Sequence, residues 1–74
     1  MDTKLTLKAI RINLGLTLEQ ASRRIGVSKE TLANYERGDT YPDVPVIMSI
    51  EKSYNITYDN INFLIKRDVF NANT

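Results

Sequence analysis

The chain has 74 residues, no cysteine, no histidine and a formal net charge of +1. A chain of this length forms one small domain that buries only about 60% of its unfolded surface; without cysteine it has no disulfide or thiolate metal site, and without histidine it lacks the commonest zinc ligand and acid–base residue. No apolar run approaches the roughly 20 residues of a bilayer-crossing helix, and the first residues lack the apolar stretch of a signal peptide, so a soluble intracellular protein with no membrane partner is expected.

Leu7, Ile10 and Leu14 recur at i, i+3 and i+7, which predicts a first amphipathic helix over residues 4–14, ended by Gly15. Thr17 then precedes a second apolar run, with Gln20 three residues on. The hydroxyl and the amide can cap each other's backbone donors, which starts a second helix, and Leu16 can pack across the cap onto Ala21. Leu18, Ala21, Ser22 and Ile25 follow at helical spacing. Gly26 can take the positive φ at which this helix must stop and turn. Ser28 caps a third helix at once, with Thr31 at its third position and Val27 able to pack onto Leu32, and Gly38 closes it after Arg37. Two helices joined so tightly must cross steeply.

The third helix has two unlike faces. Leu32 and Tyr35 point inward by spacing, which leaves Lys29, Glu30, Ala33, Asn34 and Arg37 outside, several of them able to reach hydrogen-bonding edges or phosphates. Beyond Gly38, the segment DTYPDVP reads as a loop. Asp43 caps a fourth helix with Pro45 in its first turn, Ile47, Ile50 and Tyr54 make its inner stripe, and Asn55 ends it in a left-handed conformation. Thr57 is expected to cap a fifth helix, with Ile56 packing onto Ile61, and with Ile61, Leu64 and Ile65 closing the core. Residues 68–74 have little to bury and are expected to fray, which puts the domain at residues 1–67. No strand shows convincing alternation. Charge is uneven: residues 1–37 hold seven Lys and Arg against four Asp and Glu, a balance of +3, and residues 38–74 hold three against five, a balance of −2.

The run TLEQASRRIGVSKETLANYERG at residues 17–38 resembles the helix-turn-helix of the Cro and lambda-type repressor family. Ser22 stands at the small-residue position of that motif, Gly26 in its turn, Leu32 at its packing position, and the YERG ending is present. The resemblance extends over roughly residues 5–64. It implies an all-α, compact five-helix bundle with the helix-turn-helix at helices 2 and 3, and a role in binding double-stranded operator DNA. It also implies site residues. Lys29, Glu30, Ala33 and Asn34 fall at base-facing positions, where Asn34 suits an adenine edge, Lys29 the O6 and N7 of guanine, and the Ala33 methyl a thymine methyl. Thr31, Arg37 and Thr40 fall near phosphates, and the amides at the start of helix 2, around Thr17 and Leu18, suit another phosphate. Arg11 takes the position at which some lambdoid repressors carry an arginine paired with the glutamate of the YERG-like ending, here Glu36.

Two departures matter. Leu18 stands where the family commonly has glutamine, and it either extends the Ala21 and Ile25 stripe into the core or offers an apolar anchor. Glu30 sets a carboxylate at a base-reading position, where it can accept from a cytosine amino group. Phe63 and Phe70 fall off the inner stripe beside Lys66 and Arg67; both are candidates for a protein interface, and Phe63 alternatively seals the end of the core. No nucleophile–base pair, phosphate-cradling glycine loop or metal-ligand cluster is present, so no catalysis, cofactor, metal or small-molecule substrate is expected. The reading is a sequence-specific transcriptional regulator, a Cro-like repressor of a phage or mobile-element switch in the bacterial cytoplasm and nucleoid, acting as a homodimer or with a partner repressor. The alternative is a modulator that acts mainly by binding such a repressor.

Overall fold

Thr6 decides where the first helix begins. Its backbone is extended and its hydroxyl accepts from the Ala9 amide at 3.1 Å, so helix α1 runs over Leu7–Asn13 and not from residue 4. The computed structural model describes residues 4–64. Before the cap, Leu5–Thr6 form a two-residue strand β1, paired in parallel with β2 at Ile61–Asn62 and in register Leu5 to Ile61. Between the strands lie α1, α2 (Leu18–Ile25), α3 (Lys29–Arg37), α4 (Val44–Tyr54) and a single 3-10 turn at Tyr58–Asn60.

The caps form as their residue types dictate. Thr17 and Gln20 exchange both hydrogen bonds of a capping box, at 2.9 and 3.1 Å. Ser28 Oγ accepts from the Thr31 amide and Asp43 Oδ1 from the Val46 amide. Gly26, Gly38 and Asn55 end their helices in the left-handed region, with φ of 93°, 83° and 53°.

The core consists of Leu7, Ile10, Ala21, Ile25, Leu32, Ile50, Tyr54 and Ile61. Ala21 and Leu32 are wholly buried, and α2 and α3 pack against each other. Burying a leucine such as Leu32 is worth roughly 1.5–3 kcal/mol. Helix α4 locks onto the end of α2: Ser49 Oγ donates to the Ile25 carbonyl at 2.6 Å and Ser53 Oγ to the Arg24 carbonyl at 3.0 Å. These bonds satisfy carbonyls that a helix end leaves without intrahelical partners.

Four expectations are corrected. Leu14 is exposed, because the helix has ended at Asn13 and Gly15 turns the chain; Arg11, four residues after Leu7, takes the inward position instead. The fifth helix is absent among the described residues, where four α-helices and the strand pair make up the regular structure together with the 3-10 turn. Thr57 makes no side-chain cap bond to the backbone; its hydroxyl accepts from Asn60 Nδ2 at 2.9 Å. Leu64, expected in the core, is 46% exposed. In extended chain the period is two rather than 3.6, so Ile61 and Phe63 face inward while Asn62 and Leu64 face out. Ile65 and Phe70, and the tail expected to fray, lie outside the described residues.

Candidate nucleic-acid interface

The outer surface of α3 is held in place from α1. Arg11 Nε donates to Glu36 Oε2 at 2.7 Å and Nη2 to Glu36 Oε1 at 3.1 Å, a bidentate pair between side chains 10% and 6% exposed. Its Nη1 donates to the Leu16 carbonyl at 3.0 Å, so one guanidinium joins α1, the turn before α2 and the last turn of α3. The hydrogen bond with Glu36 pushes the Arg11 pKa up against the opposing effect of burial. Tyr54 lies at the same junction. Its hydroxyl is buried without a hydrogen-bond partner among the described residues, and burial, with the Glu36 carboxylate, pushes its pKa up to about 12.

On the outer face of α3, Lys29 and Glu30 are exposed and Ala33 and Asn34 are half-buried. Thr31 is half-buried and its hydroxyl accepts from Ser28 Oγ at 2.8 Å, so it is tied into the cap. Arg37 is exposed and bound within the protein: Nε donates to Asp39 Oδ2 at 2.9 Å and Nη2 donates to Asn34 Oδ1. Thr40 is exposed in the loop that follows. Leu18 packs partly buried on the core and lines a shallow cleft with Lys8, Arg11, Ala33, Glu36 and Arg37. Thr17 is exposed, its hydroxyl and amide both used by Gln20, and the first-turn amides of Leu18 and Glu19 project from the same helix end.

Two residues of this surface escape the sequence reading. Lys8 lies one turn before Arg11 on α1, and only the docking of α1 beside α3 brings it to the cleft. Asp39 is returned to Arg37 by the left-handed Gly38, where the Asp39 amide donates to the Asn34 carbonyl at 3.0 Å. Phe63 is half-buried, with its ring centroid 5.2 Å from that of Tyr41 and 5.6 Å from that of Tyr58, whose hydroxyls are themselves 2.6 Å apart. Beside this cluster, Tyr41, Pro42, Asp43, Val44, Ile47 and Tyr58 line a mainly apolar groove. Among the described residues, no helix is long and apolar enough to cross a membrane, and no group of three acidic, histidine or cysteine residues is placed to hold a metal.

Two helices crossing at a glycine turn, the second fixed by a buried ion pair and carrying polar side chains outward, make a helix-turn-helix. The helix-turn-helix family profile matches residues 7–61, and the chain belongs to that family, in its Cro and lambda-repressor branch. Among curated relatives, the HTH-type transcriptional regulator ImmR of Bacillus subtilis is 29% identical over 62 residues, which is 84% of this chain and 46% of that protein. The uncharacterized HTH-type transcriptional regulator YgzD of the same organism is 26% identical over 58 residues, 78% of this chain and 88% of that protein. The chain thus spans less than half the length of the first relative and most of the second. No solved structure matches it significantly.

Proposed function

We propose that this chain is a DNA-binding transcriptional regulator that lays α3 in the major groove of an operator and represses by occupying it, as a Cro-like switch protein of a phage or mobile element in the bacterial cytoplasm. The observation that carries the reading is the fixed presentation of α3, with Lys29, Glu30, Ala33 and Asn34 turned outward from a helix that the Arg11–Glu36 pair locks to α1. A rigid helix keeps its base-reading groups in register. Relatives named as HTH-type transcriptional regulators accord with it. Lys29 and Asn34 meet base edges. Thr40, Lys8 and the first-turn amides around Thr17 and Leu18 meet phosphates, and Glu30 selects a cytosine amino group.

A second reading has its own observation. The mainly apolar groove at Tyr41, Val44 and Ile47, with Val44 67% exposed, is a surface for a second protein chain, either another copy on the neighbouring half-site or a partner repressor. In the partner-repressor case the chain acts mainly through protein contact.

One experiment separates the two. The purified chain is titrated with DNA from its own gene neighbourhood at two salt concentrations, with and without any neighbouring repressor. Tight, site-specific, salt-dependent binding by the chain alone supports the operator reading. Negligible DNA binding with a stable repressor complex supports the modulator. Under the operator reading, Asn34→Ala weakens specific binding by about 1–3 kcal/mol and leaves the melting temperature nearly unchanged. Full operator affinity in that variant removes the recognition role of α3.

A further inference from the structure

Asn34 does not stand alone on the surface of α3. Arg37, one turn on, donates through Nη2 to Asn34 Oδ1, and Arg37 is in turn held through Nε by Asp39 Oδ2 at 2.9 Å. The orientation of the Asn34 amide follows from chemistry. A guanidinium only donates, so the amide oxygen faces it and the Nδ2 group faces away. The Gly38 turn makes this a built arrangement: its left-handed φ of 83° folds the chain back so that the Asp39 amide caps the Asn34 carbonyl and its carboxylate meets Arg37.

An asparagine that reads adenine uses both ends of its amide, accepting from N6 and donating to N7. Here one of the two lone pairs of the accepting oxygen is taken by a cation. The adenine amino group would approach an oxygen already bound to Arg37, beside a positive charge that repels its hydrogens. Guanine presents two acceptors, N7 and O6, to the same place. Asn34 Nδ2 and the remaining guanidinium protons are all donors. We infer that Arg37, anchored by Asp39, is a positioning residue that turns the Asn34 amide nitrogen outward, makes Asn34 read chiefly as a donor and sets its base preference to guanine over adenine.

This inference rests on the operator reading above, and the test keeps their failures apart. The full chain is used to select from randomised duplex DNA, and the base pair read by Asn34 is identified as the one whose preference disappears in Asn34→Ala. The parent is expected to favour guanine there over adenine by about tenfold. Arg37→Met keeps the apolar stem and removes every donor, and it should reverse the preference toward adenine. Asp39→Asn should move it part of the way, and Arg37→Lys, which keeps a cationic donor, should retain guanine. Loss of a phosphate contact alone would weaken all sequences alike, lower the salt dependence by about one ion and leave the preference unchanged.

A parent that selects adenine at that pair, or an Arg37→Met variant with the parent's preference, overturns the inference while the operator reading stands; an Asn34→Ala variant that erases no preference overturns the inference together with the recognition role of α3. A folded parent that enriches no sequence overturns both. Asp39→Asn gives an independent arm should Arg37→Met not fold.

Discussion

Arg11 puts two donors on Glu36 of α3 and a third on the Leu16 carbonyl in the turn before α2. Because both side chains are shielded, the cost of losing one falls mainly on the partner left behind. Arg11→Met would leave the Glu36 carboxylate, 6% exposed, without its counter-charge. The expected loss is about 3 kcal/mol. In a domain of this size that lowers the melting temperature by more than about 10 °C. Adding Glu36→Leu should recover much of it, because removing both charges also removes their desolvation cost, and a thermal-melt cycle over the two single variants and the double reads this directly. The partners lie 25 residues apart, and nothing in their spacing pairs them. The family resemblance pointed to the pair; composition and periodicity are silent on it.

Elements were legible wherever their ends are written locally. Thr17, Ser28 and Asp43 each cap a helix, and Gly26, Gly38 and Asn55 each end one, because a short oxygen-bearing side chain or a left-handed residue acts on its immediate neighbours. At Gly26 an added Cβ would meet nothing within 4 Å, so Gly26→Ala isolates the conformational cost of φ 93° from any clash. It should destabilise the domain by about 1–2 kcal/mol with the fold retained, measurable as a lower urea midpoint at unchanged slope. The strands, and the 3-10 turn that stands among the described residues where a fifth helix was expected to begin, were not legible in the same way. A two-residue strand has no periodicity to detect, and the extended backbone at Ile61–Asn62 is set by a partner at the other end of the chain. The outer face of α3 followed from helical spacing, whereas the hold on Asn34 depends on how one left-handed turn brings Asp39 back.

At the scale of the whole molecule, Tyr54 sits where α4 meets the Arg11–Glu36 junction, 4% exposed, with its pKa raised by burial to about 12. The unfolded chain releases this proton near the ordinary tyrosine value of about 10 and the folded chain keeps it longer. Stability is therefore undiminished below about pH 10, falls as pH rises toward 12, and levels off above it, a loss on the order of 2 to 3 kcal/mol. Tyr41, also raised to about 12 by its hydrogen bond with Tyr58, is 44% exposed and adds less. Urea midpoints at pH 8, 10 and 11.5 check this, and Tyr54→Phe should flatten the profile and be near neutral at pH 7, because the hydroxyl it removes has no hydrogen-bond partner among the described residues. The parallel pairing of Leu5–Thr6 with Ile61–Asn62 acts on the same scale. It makes the chain mechanically a clasped ring. Tension applied between residues 4 and 64 pulls the two strands past each other in opposite directions along their length. The clasp is loaded in shear, its backbone hydrogen bonds must yield together rather than one after another, and the helices between them carry no strain until it does.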